Sequence, residues 1–134
     1  MKLLVVSPEP VDAELLRSAI GEDVRGAEVL VVSPATSRSK LAFWVSDTDE
    51  AIQEAETAQV DTVERLEEEG VDAAGEVGEA EPAQAIEDAL ATFRADRIVV
   101  FSHPEGERDY REDAGLRDAE QRWGVPVTHA VISR

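Results

Sequence analysis

The sequence predicts an α/β fold: a five-stranded parallel sheet, strand order 3-2-1-4-5, with helices on both faces. Two observations carry this reading. Three short apolar runs, Leu3-Leu4-Val5-Val6, Val29-Leu30-Val31-Val32 and Ile98-Val99-Val100-Phe101, are continuous rather than alternating. Continuous β-rich runs suit central strands covered on both faces. Between them lie segments with helical spacing, and strands alternating with helices imply parallel pairing and a three-layer domain. Right-handed crossovers then leave few topologies. With 134 residues, the chain is read as a single domain spanning 1–134.

The first strand covers Lys2 to Ser7, and Pro8 and Pro10 stop it. A helix from Val11 to Ile20 turns Leu15, Leu16, Ala19 and Ile20 inward, and Gly21 and Gly26 bracket its exit. The second strand is Glu28 to Ser33. A long connection, 34–47, leads to a helix over Thr48 to Glu69. Ser46 or Asp47 can cap its start, and Gly70 supplies a left-handed stop. Ile52, Ala55, Val63 and Leu66 form its sheet-facing stripe, while the outer face is densely acidic. A weak third strand runs from Asp72 to Val77. Pro82 opens the next helix, where its missing N–H costs nothing, and Ile86, Ala89, Leu90 and Phe93 face inward. The fourth strand begins at Arg97 and opens at Ser102-His103-Pro104 into an acidic loop. A helix near Asp113 to Trp123 and a last strand, Val125 to Ser133, complete the chain.

Composition narrows the function classes. Acidic residues number 30 against 13 basic ones, giving a net charge of −17. That excess argues against nucleic acid and anionic membranes, which need basic faces. Eleven of the basic residues are arginine, a balance that fits a salt-adapted or GC-biased source. No apolar run approaches the ~20 residues that span a bilayer, and no signal peptide is read at the start, so the cytoplasm is the expected location. The absence of cysteine excludes disulfides, thiolate metal sites and cysteine nucleophiles.

Motifs in the second half resemble the universal stress protein family, over Val60 to Ile132. Val63-Glu64-Arg65-Leu66 with Gly70-Val71 is similar to that family's long second helix and its exit. Glu81-Pro82-Ala83-Gln84-Ala85-Ile86 resembles its Asp-Pro-Ala-x-x-Ile helix start. Ala95-Asp96-Arg97-Ile98-Val99-Val100 and Val125-Pro126-Val127 resemble the starts of its last two strands. The resemblance implies a Rossmann-like fold, a stress-response role and a homodimer formed through the last strand. ATP-binding members carry three spaced glycines followed by Ser or Thr. Carried over without gaps, those positions are Phe101, Pro104, Ala114 and Gly115, so none of the three glycines is present. The family's adenine-contacting Asp falls at Ser7 or Pro8, and Asp12 lies further along. The resemblance therefore implies a branch that does not bind ATP in the usual way, and no cofactor is expected.

In a sheet of this order, ligands bind outside the carboxyl ends of the strands where the order reverses, between strands 1 and 4. The candidate ligand-binding residues there are Ser7, Ser33, Arg38, Lys40, Ser102, His103 and Arg108. His103 could act as a base or ligand contact, or simply bond a neighbouring backbone group in a turn. With Glu105, Glu107 and Asp109 it could recruit a metal, but one His without Cys makes a poor donor set, and no metal is expected. Arg38 and Lys40 could receive an anion beside Phe43 and Trp44, unless those aromatics only anchor the loop. His129 in the last strand reads as a partly buried or interface residue. Nucleophilic catalysis lacks a Gly-x-Ser-x-Gly elbow. The expected function is a non-enzymatic stress-response or regulatory module that meets a protein or small molecule. The alternatives are a nucleotide-binding module with a rearranged site and, last, a small hydrolase using His103.

Overall fold

A computed structural model describes residues 1–35, 48–78, 82–102 and 119–132. The elements in chain order are β1 (Lys2–Val6), α1 (Ala13–Ile20), β2 (Glu28–Pro34), α2 (Thr48–Glu68), β3 (Asp72–Gly78), α3 (Pro82–Leu90), β4 (Arg97–Ser102), α4 (Ala119–Trp123) and β5 (Val127–Val131). The five strands form one parallel sheet in the order β3-β2-β1-β4-β5, as the sequence predicts.

Alternation along the strands sorts side chains into two cores. Leu3, Val5, Val29, Val31, Val99 and Phe101 pack with Ala13 and Leu16 of α1 and Leu66 of α2. Leu4, Val6, Val32, Ile98 and Val100 pack on the other face with Ala83, Ala85, Ile86 and Ala89 of α3, and Trp123 of α4 closes over them. Burial on both faces is why the central strands carry continuous apolar runs.

Local signals set the helix ends. Asp12, in extended backbone, accepts the Leu15 N–H at 2.8 Å and caps α1, so the helix starts two residues later than its apolar spacing suggests. Gly21 closes it in the left-handed region, its N–H donating to the Arg17 carbonyl at 2.7 Å.

Three expectations meet a different outcome in the structure. Ile52, expected to face the sheet, is 37% exposed; among the described residues the buried positions of α2 are Ala55, Ala58, Thr62 and Leu66. A helix of 21 residues is about 31 Å long, while the seven-residue β2 and β3 extend only about 23 Å, so its first turns outrun the strands beneath. His129, read as a partly buried or interface residue, is exposed on the edge strand β5. The last strand is also shorter than read, since Pro126 precedes it and cannot donate to a ladder.

Candidate functional site

The strand order reverses between β1 and β4, which places the expected crevice at the carboxyl ends of β1, β2 and β4. Three of the seven sequence candidates lie there and are described: Ser7, Ser33 and Ser102. Arg38, Lys40, His103 and Arg108 lie outside the described residues, as do Phe43 and Trp44, the acidic loop and the start of the helix that ends at Trp123.

The structure groups the three serines two against one. Ser7 continues the Leu3–Val5 side of β1, and Ser33 continues the Val29–Val31 side of β2. Both therefore sit on the α1/α2 face, and the Val6–Val32 register makes them neighbours. Ser102 continues the Ile98–Val100 side of β4 and belongs to the α3/α4 face. The three hydroxyls do not converge on one atom of a ligand. All three residues are buried.

Their chemistry also differs. Ser7 N–H donates to the Val32 carbonyl at 3.0 Å, which extends the β1–β2 ladder by one rung. Its hydroxyl donates to the Glu9 carbonyl at 2.6 Å and accepts the Glu9 N–H at 3.4 Å. This local bonding is the turn-forming use of serine after a strand. Ser33 is the reverse: its Oγ is buried and has no hydrogen-bond partner. Buried hydroxyls are nearly always paired, so this one is a site where a polar ligand atom or a water would be stabilised. Asp12, further along the same loop than Ser7 and Pro8, is committed to capping α1.

Sequence reasoning missed the residue that holds the β1–α1 loop in place. Thr62 of α2 is fully buried; its Oγ1 donates to the Ala58 carbonyl at 2.8 Å and accepts the Val11 N–H at 3.1 Å. A threonine on the inner stripe of an otherwise apolar helix face was the available signal. Beside this loop lies an open groove of about 290 Å³, lined by Pro10, Val11, Asp12, Glu14, Leu15, Ser18 and Arg65. None of the three strand-end serines lines it, so groove and switch point are separate features.

Among the described residues, no three His, Cys, Asp or Glu side chains gather closely enough to hold a metal ion. Among the described residues, the one strongly shifted carboxyl is Asp23, held down to about 2 by hydrogen bonds from Arg25. It lies in the turn between α1 and β2, on the amino side of the strands and away from the crevice, so the shift is that of a surface ion pair. Among the described residues, no helix is long and apolar enough to cross a membrane. No family model and no curated protein matches the chain.

Proposed function

We propose that the chain is a non-enzymatic regulatory binding module of the universal stress protein type, cytoplasmic and homodimeric, that does not take ATP in the way usual for that family. One observation carries the reading. At the position where the resemblance puts an adenine-contacting aspartate, Ser7 is buried and its hydroxyl is spent on Glu9 within its own turn. The missing glycines after β4 support it from the sequence side. The strand order and the paired helical layers fit the fold that the resemblance implies. β5 lies at one end of the sheet and its residues Val127–Val131 include no Asp, Glu, Lys or Arg, which supports pairing with a second copy. Thermal shift with ATP, ADP, AMP and cyclic nucleotides in the presence of Mg tests the reading. No change in melting temperature is expected; Mg-dependent stabilisation by ATP would overturn it, since a ligand at 100 times its Kd adds about 2.7 kcal/mol.

A second reading, a nucleotide-binding module with a rearranged site, is favoured by the unpartnered Ser33 hydroxyl beside Ser7. If it holds, one nucleotide raises the melting temperature, and Ser33→Ala abolishes that rise.

A further inference from the structure

β3 is the terminal strand of the sheet on the side away from β5, and its bonds to β2 fix which way its backbone faces. Pro34 is aligned with Gly78, and the Ala35 N–H donates to the Gly78 carbonyl at 3.2 Å. Within a strand the N–H and C=O of one residue point to the same side, and successive residues alternate. Gly78, Glu76, Ala74 and Asp72 therefore bond β2, while Ala73, Gly75 and Val77 turn their backbone groups outward. Among the described residues, nothing bonds those three outward groups. Two surfaces flank this edge. A Cβ added at Gly75 would meet Gln59 and Val63, so that flank of α2 lies over β3. Helical spacing carries the same stripe back through Glu56 to Ile52. Both are exposed, and Val63 is only partly buried. Ile52 lies about 10 Å along the helix from Gln59, or about three strand residues, which sets it level with Gly78. On the other face α3 reaches β3 at Gly78, where an added Cβ would meet Ala85. Asp72, Ala74 and Glu76 stay exposed there. Asp72 and Glu76 stand about 13 Å apart along the strand. Among the described residues, neither carboxylate has an ion pair.

We propose that β3 receives an extended segment of a partner protein as a sixth strand, one in which basic and apolar residues alternate. The proposal rests on the binding-module reading given above and names the partner class. The outward N–H and C=O groups of Ala73, Gly75 and Val77 supply the ladder, and alternate side chains supply the selection. Basic residues four positions apart meet Asp72 and Glu76 on the α3 face. The residues between them turn to the other face, where apolar side chains pass beside α2 and cover Ile52 and Val63. Charge decides the occupant. A second copy added at this edge would line its own Asp72 and Glu76 along the same face, in a chain of net charge −17. Like charges facing each other across strands are destabilising, and charged residues are the common guard of an open edge. The same two carboxylates thus repel a copy and attract a basic strand.

The probe is the synthetic peptide acetyl-Thr-Lys-Val-Thr-Val-Lys-Thr-amide, and its control carries glutamate in place of both lysines. Amide hydrogen exchange followed by NMR on the free chain is expected to be fast at Ala73, Gly75 and Val77 and slow at Ala74 and Glu76, whose N–H groups bond β2. The lysine peptide is expected to slow the first three by about tenfold or more, and the glutamate peptide to leave them unchanged. Asp72→Lys combined with Glu76→Lys should reverse the preference, with the glutamate peptide binding roughly tenfold tighter than the lysine peptide. Should the double variant fail to fold, Glu76→Lys alone, at an exposed position, should still weaken the lysine peptide. Slow exchange at all three amides in the free chain at every concentration would mean that its own residues already cover the edge. Protection that grows with protein concentration and needs no peptide would mean a second copy. Either result overturns the proposal, as does a lysine peptide that protects nothing or that binds the charge-reversed chain equally well. All four leave the ATP-independent reading standing. Stabilisation by Mg and ATP overturns that reading instead, whatever the peptides do.

Discussion

Replacing Thr62 by valine tests whether the β1–α1 loop is held by a buried hydroxyl rather than by its apolar neighbours. Valine keeps the shape of threonine and removes only the Oγ1. The Ala58 carbonyl keeps its helical partner, so its loss is small. The Val11 N–H, on a residue only 1% exposed, loses the acceptor it now has at 3.1 Å. Leaving a buried donor unsatisfied costs about 1–3 kcal/mol, so about 2 kcal/mol is expected. With roughly 2.1 cal/mol/K of unfolding entropy per residue, 134 residues give about 0.28 kcal/mol/K, so this loss lowers Tm by about 7 °C. Thr62→Ser retains the bond and loses one buried methyl, about 1 kcal/mol, and should fall between the two. Calorimetry on the three proteins measures the series, and hydrogen exchange at the Val11 amide should accelerate in Thr62→Val alone. If Thr62→Val melts with the wild type, or Thr62→Ser melts below Thr62→Val, packing rather than the hydrogen bond fixes the loop.

Other predictions follow from packing and charge. At Gly78, an added Cβ would lie 2.7 Å from Val32 Cγ1 and 2.8 Å from Ala85 Cβ, and neither atom is the end of a flexible side chain. Gly78→Ala should cost about 1–3 kcal/mol in urea unfolding. Gly75→Ala should cost less, because its main clash is with the mobile end of Gln59. Ser33→Ala removes a buried, unpartnered hydroxyl, so in the absence of ligand its Tm should equal or exceed the wild type; a clear loss would reveal a partner for that hydroxyl. The exposed carboxylates Glu54, Glu56, Glu64, Glu67 and Glu68 crowd α2, with Arg65 the one cation of that helix. Tm should rise as the screening length falls from about 30 Å at 0.01 M salt to about 3 Å at 1 M, and a salt-independent melt would refute this account. The Asp23 carboxyl should titrate at about 2 in the folded chain, against 3.8 for an unperturbed group. A depressed folded value means that this contribution is present above pH 3.8 and fades as pH falls toward 2. Because the pair is fully exposed the effect is small, and Asp23→Asn should flatten the acid limb only slightly.

The central strands and the strand order were legible because burial on both faces forces uninterrupted apolar runs, and those runs survive any choice of helix packing. The turns were legible for a similar reason: Gly21 and Gly70 take positive φ, a backbone region that residues with a Cβ rarely enter. The candidate site was legible only as a location. The sequence placed Ser7, Ser33 and Ser102 at strand ends. It did not show that Ser7 and Ser33 share a face while Ser102 opens on the other, since that depends on register within the sheet.

What the sequence alone determined is the layered architecture, through period and composition, and the absence of glycine at Phe101, Pro104 and Ala114, through plain residue identity. Tertiary structure decided the rest, because a polar group's role depends on which partner reaches it. Thr62 became the anchor of a loop 51 positions away, Asp12 a helix cap, and Ser33 a hydroxyl without a partner. Glu120 accepts the N–H of Val127, the first residue of β5, seven positions later. Apolar burial is additive along a chain and leaves a periodic trace; hydrogen bonds are pairwise and directional, and their partners exist only once the chain has folded.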